Sequence, residues 1–445
     1  MTRPKALSGF PEFLPAQRMV EQRVVDILRR TFELHGFASI QTRAVETMAS
    51  LNRKGEITKE VYVIRRLHED NEHETSDSDL GLHFDLTVPL ARYVVEHAGH
   101  LQFPFRRYQI QPVWRGERPQ EGRYREFWQA DIDIIGAGDL AWHHDVEAML
   151  VMLEALEALH LEVGIPQVVM HVNNRKLCEG FYQGLGISDS AEVLQRVDKF
   201  DKIGADGVGE LLREELGLAT EVVDKCIALA SISTPDDSFV AKVHDLGVTS
   251  PLLEEGLNEL AGVVRAANEV VPGRIRANLK IARGLDYYTG TVYETELVGH
   301  EKMGSVASGG RYEKLASDGK NSYPGVGISL GLTRLLAPIL VRGQLVANRQ
   351  VPSAVLVAVT SEEERSQAMQ VATILRHRGI PTEVAPKANK FGKQIRHADR
   401  RGIPYVWFGG VDGEVKDIRS GEQQTANAEH WAIPETDIRP SLIHD

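Results

Sequence analysis

Between residues 106 and 136 the chain carries two alternating segments, "RRYQIQPVWR" and "REFWQADIDIIG", around a short polar loop. Alternation of apolar and polar residues marks a half-buried strand, and two such segments closing on a short connection dictate an antiparallel hairpin. The loop and its flanks, "WRGERPQEGRYR", gather Arg115, Arg118, Arg123 and Arg125 into eleven positions, and the return strand then carries Asp131 and Asp133. Such a cluster stands out because the chain is acidic, with 51 Lys and Arg against 63 Asp and Glu, a formal net charge of −12. Arg118 and Arg125 have neighbours to pair with in Glu117, Glu121 and Glu126. Arg115 is different. It follows Trp114 inside an apolar-rich strand and is expected to point into a sheet-bounded pocket. A half-buried guanidinium requires an anion, and phosphate or carboxylate matches its fork. Phe127, beyond the loop, is placed to lie flat against an aromatic base.

At 445 residues the chain is too long for one core, so two or three domains are expected. A first domain is expected over 1–340 and contains the hairpin. The spacing of Met19, Val20, Val24, Ile27 and Leu28 predicts a helix over 16–35, stopped by Gly36. "FASIQTRAVE", "EVYVIRR" and "GLHFDLTVPL" read as strands, and the polar stretch between the last two, with His68 and His73, as an exposed hairpin tip. A long helix is expected over 139–161. Residues 174–265 are helical and charged, in the manner of an inserted subdomain. Strand character returns at "NLKIARGLDYYTGTVYETEL", "ASGGRY" and "GVGISLGLTRLL". After a linker at 341–351, residues 352–445 alternate strand and helix, as an α/β domain does.

The composition, 42% hydrophobic and 26% charged, is that of a soluble globular protein. The longest clean apolar run, "AVLVAV" at 354–359, is far short of a membrane span. "MTRPKALSGF" lacks the apolar core of a secretory signal. Cys178 and Cys226, far apart, read as reduced cytosolic thiols. The acidity weighs against nucleic-acid binding over the whole surface, but not against a local basic face. Arg376, Arg378, Lys387, Lys390, Lys393, Arg396, Arg400 and Arg401 are opposed within 376–401 only by Glu383 and Asp399. A solvated helix face is the bland reading of that stretch.

No Walker P-loop is present. "DIDIIGAGDLA" imitates a dinucleotide fingerprint through Gly136, Gly138 and Ala141. Asp139 argues against it, since it falls where the helix is expected to begin, caps the free amides itself and repels a pyrophosphate. "ARGLDYYTGTVYE" crowds Arg283, Asp286, Tyr287 and Tyr288 together, with Gly284 and Gly290 allowing close backbone approach. Plain packing accounts for such a cluster as readily as a site does. In "GVGISLGLTRLL" the buried stripe is Leu332, Leu335, Leu336 and Ile339, which leaves Arg334 free to face a ligand.

Taken together, the three arginine-bearing segments resemble the class II aminoacyl-tRNA synthetases, and within them the histidyl-tRNA synthetase family. "WRGERPQEGRYREFWQADIDIIG" and "GVGISLGLTRLL" are similar to the second and third class motifs. "ARGLDYY" and "ASGGRYEKL" resemble the two histidine-specific signatures. "FDLTVPLARY", "VDKFDKIG" and the stretch from "GKQIRHADRRG" onward also fit, so nearly the whole chain is covered. One departure is Arg43 in "IQTRAVE", where the first class motif usually has proline.

The resemblance implies a mostly antiparallel α+β catalytic domain, a helical insertion and a C-terminal α/β anticodon-binding domain, in a cytoplasmic homodimer. It implies that L-histidine and ATP give histidyl-adenylate and pyrophosphate, and that histidyl then passes to the 3′-terminal ribose of tRNA(His). Mg2+ is expected with the ATP. By the same resemblance, Arg115 and Arg283 are the catalytic residues, flanking the α-phosphate. Arg123 and Arg334 grip the outer phosphates and Phe127 stacks on adenine. Asp85, with Thr87, takes the α-ammonium and Gln129 fixes the amino acid. Asp133 and Tyr288 read the imidazole and Tyr287 lines its pocket. Arg118, Lys390, Lys393 and Arg396 are the candidates for tRNA contact. Two other readings remain: a non-catalytic regulatory subunit of ATP phosphoribosyltransferase, which typically lacks the C-terminal domain and erodes the arginines, and an NAD-dependent oxidoreductase built on "GAGDLA".

Overall fold

The computed structural model describes residues 5–52, 60–66, 76–120, 122–281, 287–317 and 319–444. Glu121, His68, His73, Arg283, Gly284 and Asp286 therefore lie outside the described residues. The chain divides into two compact units, Met1–Pro11 with Val25–Pro338, and Glu12–Val24 with Ile339–Asp445.

The first unit is built on a nine-stranded sheet. Its order is Ala38–Ser39, Phe105–Trp114, Glu126–Ile135, Gly325–Gly331, Ala307–Tyr312, Tyr288–Leu297, Val168–Asn174, Ile275–Asn278 and Ser233–Thr234. Six of its eight pairings are antiparallel. The parallel ones join Ala38–Ser39 to Phe105–Trp114 and Val168–Asn174 to Ile275–Asn278. The predicted hairpin forms as two ten-residue strands in register from Phe105 opposite Ile135 to Trp114 opposite Glu126.

Because side chains alternate across a strand, each strand has an apolar face and a second face. On the first face Tyr108, Ile132, Ile134, Val326, Ile328 and Leu330 are buried. Phe32 of the helix Pro15–Leu34 meets Tyr108 there, ring centroids 5.8 Å apart. That helix ends at Gly36, at φ 76°, as expected. The second face carries Arg107, Gln109 and Gln111, opposite Asp133, Asp131 and Gln129, all buried. Polar residues buried in rows are costly unless satisfied. This face is where the site lies.

Several boundaries differ from the sequence reading. "GLHFDLTVPL" is a strand only at Leu80–Leu82, and Thr87 already begins the helix Thr87–His97. Its Pro89 lies in the first turn, where a missing amide costs nothing. The long helix is His143–Val163, beginning four residues after Asp139. Helices run from Arg175–Gly184 to Pro251–Val270, interrupted by Ser233–Thr234, which adds the outermost strand to the main sheet. Cys178 and Cys226 are free and buried among these helices. Burial pushes their thiols up, to about 11 and about 12, so neither is poised as a nucleophile.

In the second unit, strands Thr382–Val384, Val355–Val357 and Tyr405–Gly409 run parallel, and Asp412–Asp417 and Gln423–Asn427 continue the sheet antiparallel. Helices Arg365–His377 and Phe391–Arg401 belong to the same unit. The core collects Val355, Leu356, Val357, Val371, Leu375, Val406 and Trp407. The stretch taken as a linker holds a short strand, Leu345–Ala347, paired with Leu442–His444. Its partner is nearly a hundred residues away, which local pattern does not reveal.

Candidate active site

The register of the central strands lines up three rows on the polar face. Arg107 stands opposite Asp133, and Asp133 opposite Gly327. Gln109, Asp131 and Ser329 form the next row, and Gln111, Gln129 and Gly331 the third. At the loop end of the hairpin the pleat carries the same face outward to Arg115 on one strand and Phe127 on the other. Glycine at 327 is required, since a Cβ there would lie 2.0 Å from Asp133 Oδ1.

Toward the hairpin loop this face opens into a cleft of about 240 Å³. Arg115, Arg123, Phe127 and Gln129 of the hairpin and Arg334 of a segment distant in sequence all line it, together with Glu117. Arg115 is half-buried. Its Nε donates to the Phe84 carbonyl at 3.0 Å, and its guanidinium lies 5.2 Å from the Phe127 ring centroid. Glu117 stands 3.8 Å from Arg115 and 3.7 Å from Arg123. Arg334 donates to the Met303 carbonyl. It belongs to the helix Leu332–Val341, in which Leu332, Leu335, Leu336 and Leu340 are buried. Ile339 is only partly buried, so Leu340 replaces it in the expected stripe.

The hairpin base is held firmly. The Arg115 amide bonds the Arg125 carbonyl at 2.9 Å, and the Arg125 amide bonds the Gly9 carbonyl at 2.7 Å. Trp114 Nε1–H donates to Glu126 at 2.7 Å and its ring stacks on His83. Burial holds the His83 imidazole below its usual range, so it stays neutral against the Pro112 carbonyl. Arg125 donates to the Glu117 carbonyl, and Glu126 is taken by Trp114. Arg118 is exposed.

Beneath the cleft, sharing Ser308 and Ser329 with it, lies a recess of about 20 Å³ lined by Thr87, Asp131, Asp133, Tyr288 and Tyr312. Arg107 and Asp133 form a fully sealed ion pair at 2.5 Å, and the Tyr312 hydroxyl donates to Asp133 at 2.6 Å. Tyr287 packs on Tyr288, ring centroids 4.1 Å apart, and burial pushes its hydroxyl up so that it stays neutral. Asp85 is buried and its Oδ1 accepts the Val88 amide at 3.0 Å, fixing the start of the helix at Thr87. Its charge also acts on Asp131 and Tyr287. Of the proposed histidine- and ATP-site residues inside the described chain, Arg115, Arg123, Phe127, Gln129 and Arg334 line the cleft, Thr87, Asp133 and Tyr288 line the recess, Tyr287 packs on Tyr288, and Asp85 lies two residues before Thr87.

Arg107, Asp131, Ser308, Ser329 and Tyr312 were not assigned from sequence. The signal for the first two was present, as polar residues at the same parity as Gln129 and Asp133 on strands otherwise rich in apolar residues.

The dinucleotide imitation has another use. The Gly136 amide bonds the Pro324 carbonyl and the Gly138 amide the Ser322 carbonyl, each at 2.8 Å. Arg311, in "ASGGRY", donates to the Leu140 and Ala141 carbonyls and grips buried Asp145 at 2.7 and 3.0 Å. Asp139 caps no helix, because the turn runs on to His143 before helical geometry begins.

In the second unit Arg376 and Arg378 donate to the Thr382 and Ala428 carbonyls, and Arg401 pairs with Glu383 at 2.5 Å. Lys390, Lys393 and Arg396 are exposed on and just before the helix Phe391–Arg401, along with Lys387 and Arg400. Buried Gln394 pins this helix, donating to the Val359 carbonyl at 2.7 Å and the Asn389 carbonyl at 2.6 Å.

A mostly antiparallel sheet whose polar face gathers arginines beside a carboxylate recess defines a class II aminoacyl-tRNA synthetase catalytic domain. A family model described as histidyl-tRNA synthetase matches residues 9–335, and one described as anticodon binding domain matches residues 354–430. The histidine–tRNA ligase of Cutibacterium acnes is 68% identical over 100% of this chain and 99% of its own length. That of Micrococcus luteus is 58% identical over 99% of each. The crystal structure of histidyl-tRNA synthetase from Nostoc sp. PCC 7120 superposes with a TM-score of 0.83 at 34% identity, covering 96% of this chain and 98% of that one. The chain belongs to the histidyl-tRNA synthetase family. A Bacillus halodurans protein titled ATP phosphoribosyltransferase regulatory subunit/histidyl-tRNA synthetase shares the fold, with a TM-score of 0.72 at 18% identity.

Proposed function

We propose that this chain joins L-histidine to tRNA(His) in two steps at the cleft and its recess: activation by Mg–ATP, then transfer to the 3′-terminal ribose. The observation that carries the reading is the continuity of one polar sheet face, with guanidinium groups at its open end and carboxylates at its closed end. ATP enters the open end. Phe127 offers its ring to adenine, and Arg123 and Arg334 face the outer phosphates. Arg115 holds the α-phosphate and the histidine carboxylate together. The substrate carboxylate is itself the nucleophile, so the protein supplies position and charge rather than a nucleophilic side chain. As the α-phosphorus becomes five-coordinate, negative charge builds where the Arg115 guanidinium stands, and that differential attraction lowers the barrier. Arg283 is proposed for the opposite side of the same phosphate on the family resemblance alone.

At the closed end, Asp85 and Thr87 take the α-ammonium, Gln129 fixes the backbone of the amino acid, and Asp133, Tyr287 and Tyr288 surround the ring. An apolar amino acid leaves these buried groups unpaired, at about 1–3 kcal/mol each. Mg2+ arrives with ATP as part of that substrate. Among the described residues no cluster of three or more His, Cys, Asp or Glu side chains is arranged to hold a metal ion by itself. Glu117 is the carboxylate in the cleft that would share the ion with the ATP phosphates.

Arg118 and the exposed Lys390, Lys393 and Arg396 are proposed to contact tRNA phosphates. No helix among the described residues is long and apolar enough to cross a membrane. A homodimer acting in the cytoplasm is the proposed setting. Arg43, at the position of the usual motif proline, lies in a loop and pairs with buried Glu46 at 3.1 Å.

Histidine-dependent exchange of pyrophosphate into ATP tests the assignment. Exchange is expected with histidine and with no other natural amino acid. Exchange supported by a different amino acid, or by none, overturns it.

A further inference from the structure

The arginine hairpin outruns the sheet that anchors it. Its return strand pairs with Gly325–Gly331 only from Ile135 to Gln129, and its outgoing strand with Ala38–Ser39 only at Arg107 and Tyr108. Arg115 and Arg123 therefore stand on a projecting two-stranded ribbon, which is marginally stable by itself. Two segments from elsewhere in the first unit grip it. On the return side, the Gly9 carbonyl accepts the Arg125 amide at 2.7 Å and the Glu126 amide at 3.1 Å. On the outgoing side, the Gly116 amide donates to the Glu60 carbonyl at 2.7 Å. Two residues further on, the Tyr62 carbonyl accepts the Leu82 amide at 2.8 Å. That bond ties the second grip to the stretch leading to Phe84, whose carbonyl holds Arg115. The two grips meet, for the Phe10 and Tyr62 rings lie 6.5 Å apart, centroid to centroid, at 56°. That spacing is within the range of favourable aromatic pairs.

Gly9 is fitted to its place in two ways. Its φ is 88°, and a Cβ there would lie 2.9 Å from Arg125 Cγ and from Pro119 Cγ. Only a bare backbone comes close enough against the loop for one carbonyl to reach two amides. The loop has bonds of its own, since Gln120 and Arg123 exchange amide-to-carbonyl bonds at 3.1 and 2.9 Å. These set the shape of its tip. They do not set its angle to the sheet, which falls to the grips from outside.

We propose that Gly9 and Phe10, closing on Tyr62, are positioning residues for adenylate formation, holding the hairpin at the angle at which Arg115 and Arg123 meet the triphosphate. This rests on the function proposed above. None of the three lines the cleft, so they act through the arginines. A guanidinium misplaced by about 1 Å forfeits much of its hold on developing charge, up to about a hundredfold in rate. Loosening the clamp therefore weakens the handling of ATP, while the closed end, built on the central strands, keeps its grip on the amino acid.

The test is pyrophosphate exchange by the full-length protein and its Gly9→Ala, Phe10→Ala, Tyr62→Ala and Tyr62→Phe variants, with calorimetry of histidine binding in the absence of ATP. Gly9→Ala is expected to lower kcat/KM for ATP about tenfold or more, with the Kd for histidine within about threefold of native. Phe10→Ala and Tyr62→Ala should each lower kcat/KM for ATP about threefold to tenfold. Their double variant should be no worse than the worse single one, because either change already opens the clamp. Tyr62→Phe, which keeps the ring, should behave as native. Native kinetics in Gly9→Ala, or a loss of histidine binding as large as the loss toward ATP, overturns the proposal. Should Gly9→Ala not fold, the aromatic pair decides it. Independent, multiplying losses in the double variant, or none in either single one, reject the clamp. Native protein that fails to exchange with histidine at all sinks the underlying function instead, a distinguishable outcome.

Discussion

The hairpin cleft and the basic stretch at 376–401 look alike in sequence, for both concentrate positive charge in an acidic chain. Folded, they differ in what surrounds that charge. In the cleft, Arg115 and Arg123 of the hairpin and the distant Arg334 meet on one concave surface, with an aromatic ring and Glu117 among them. In the C-terminal unit, Arg376, Arg378 and Arg401 are occupied by carbonyls and Glu383, and the remaining cations line an exposed helix. The first arrangement suits one small polyanion held in a defined pose. The second suits an extended phosphate backbone, where many weak contacts add. Charge density in sequence is therefore a poor guide to role until the partners of each cation are known.

Three substitutions break or sharpen this contrast. The largest effect is expected at Arg107, which shares the polar face with Arg115 but is fully sealed against Asp133. Arg107→Met strands two buried carboxylates and should cost about 3–5 kcal/mol of stability in urea denaturation at neutral pH. The loss should shrink as pH falls and those carboxylates take up protons. A stability within error of native would mean that the sealed pair is not structural. Next comes Arg115→Ala. Its side chain is one-third exposed, so stability should move by less than about 1 kcal/mol while the rate of exchange falls about 10²- to 10³-fold. Near-normal turnover would remove Arg115 from the phosphate. The smallest effect is expected at the far surface. Replacing Lys390, Lys393 and Arg396 together with Gln should leave exchange unchanged, weaken tRNA charging, and lower the salt slope of tRNA binding by about 2. Loss of exchange in that variant would show that the helix serves the cleft, and an unchanged salt slope would make it a solvated face.

Much of this was legible in order of residues. The hairpin, with its strands and its arginines, follows from period-two alternation around a polar loop. The helix ending at Gly36, the α/β alternation after 352 and the segments bearing Arg115 and Arg334 follow from equally local rules. Boundaries were less secure where two signals competed. "GLHFDLTVPL" is apolar enough for a strand, but Asp85 accepts the Val88 amide and turns its second half into helix. Similarly, "GAGDLA" has the spacing of a nucleotide loop, whereas Arg311 and the Pro324 and Ser322 carbonyls claim its polar groups.

By itself the order of residues determined which strands alternate, which helices are amphipathic, and that Arg115 requires an anion. Only tertiary structure decided that Arg107 pairs with Asp133, that Ser329 donates to Asp131, and that Arg311 holds the Leu140–Ala141 turn and Asp145. The physical reason is that a side chain's chemistry is local, but its satisfaction is not. Hydrogen-bond partners and counter-charges arrive from strands up to about two hundred residues away, as Ser329 does for Asp131.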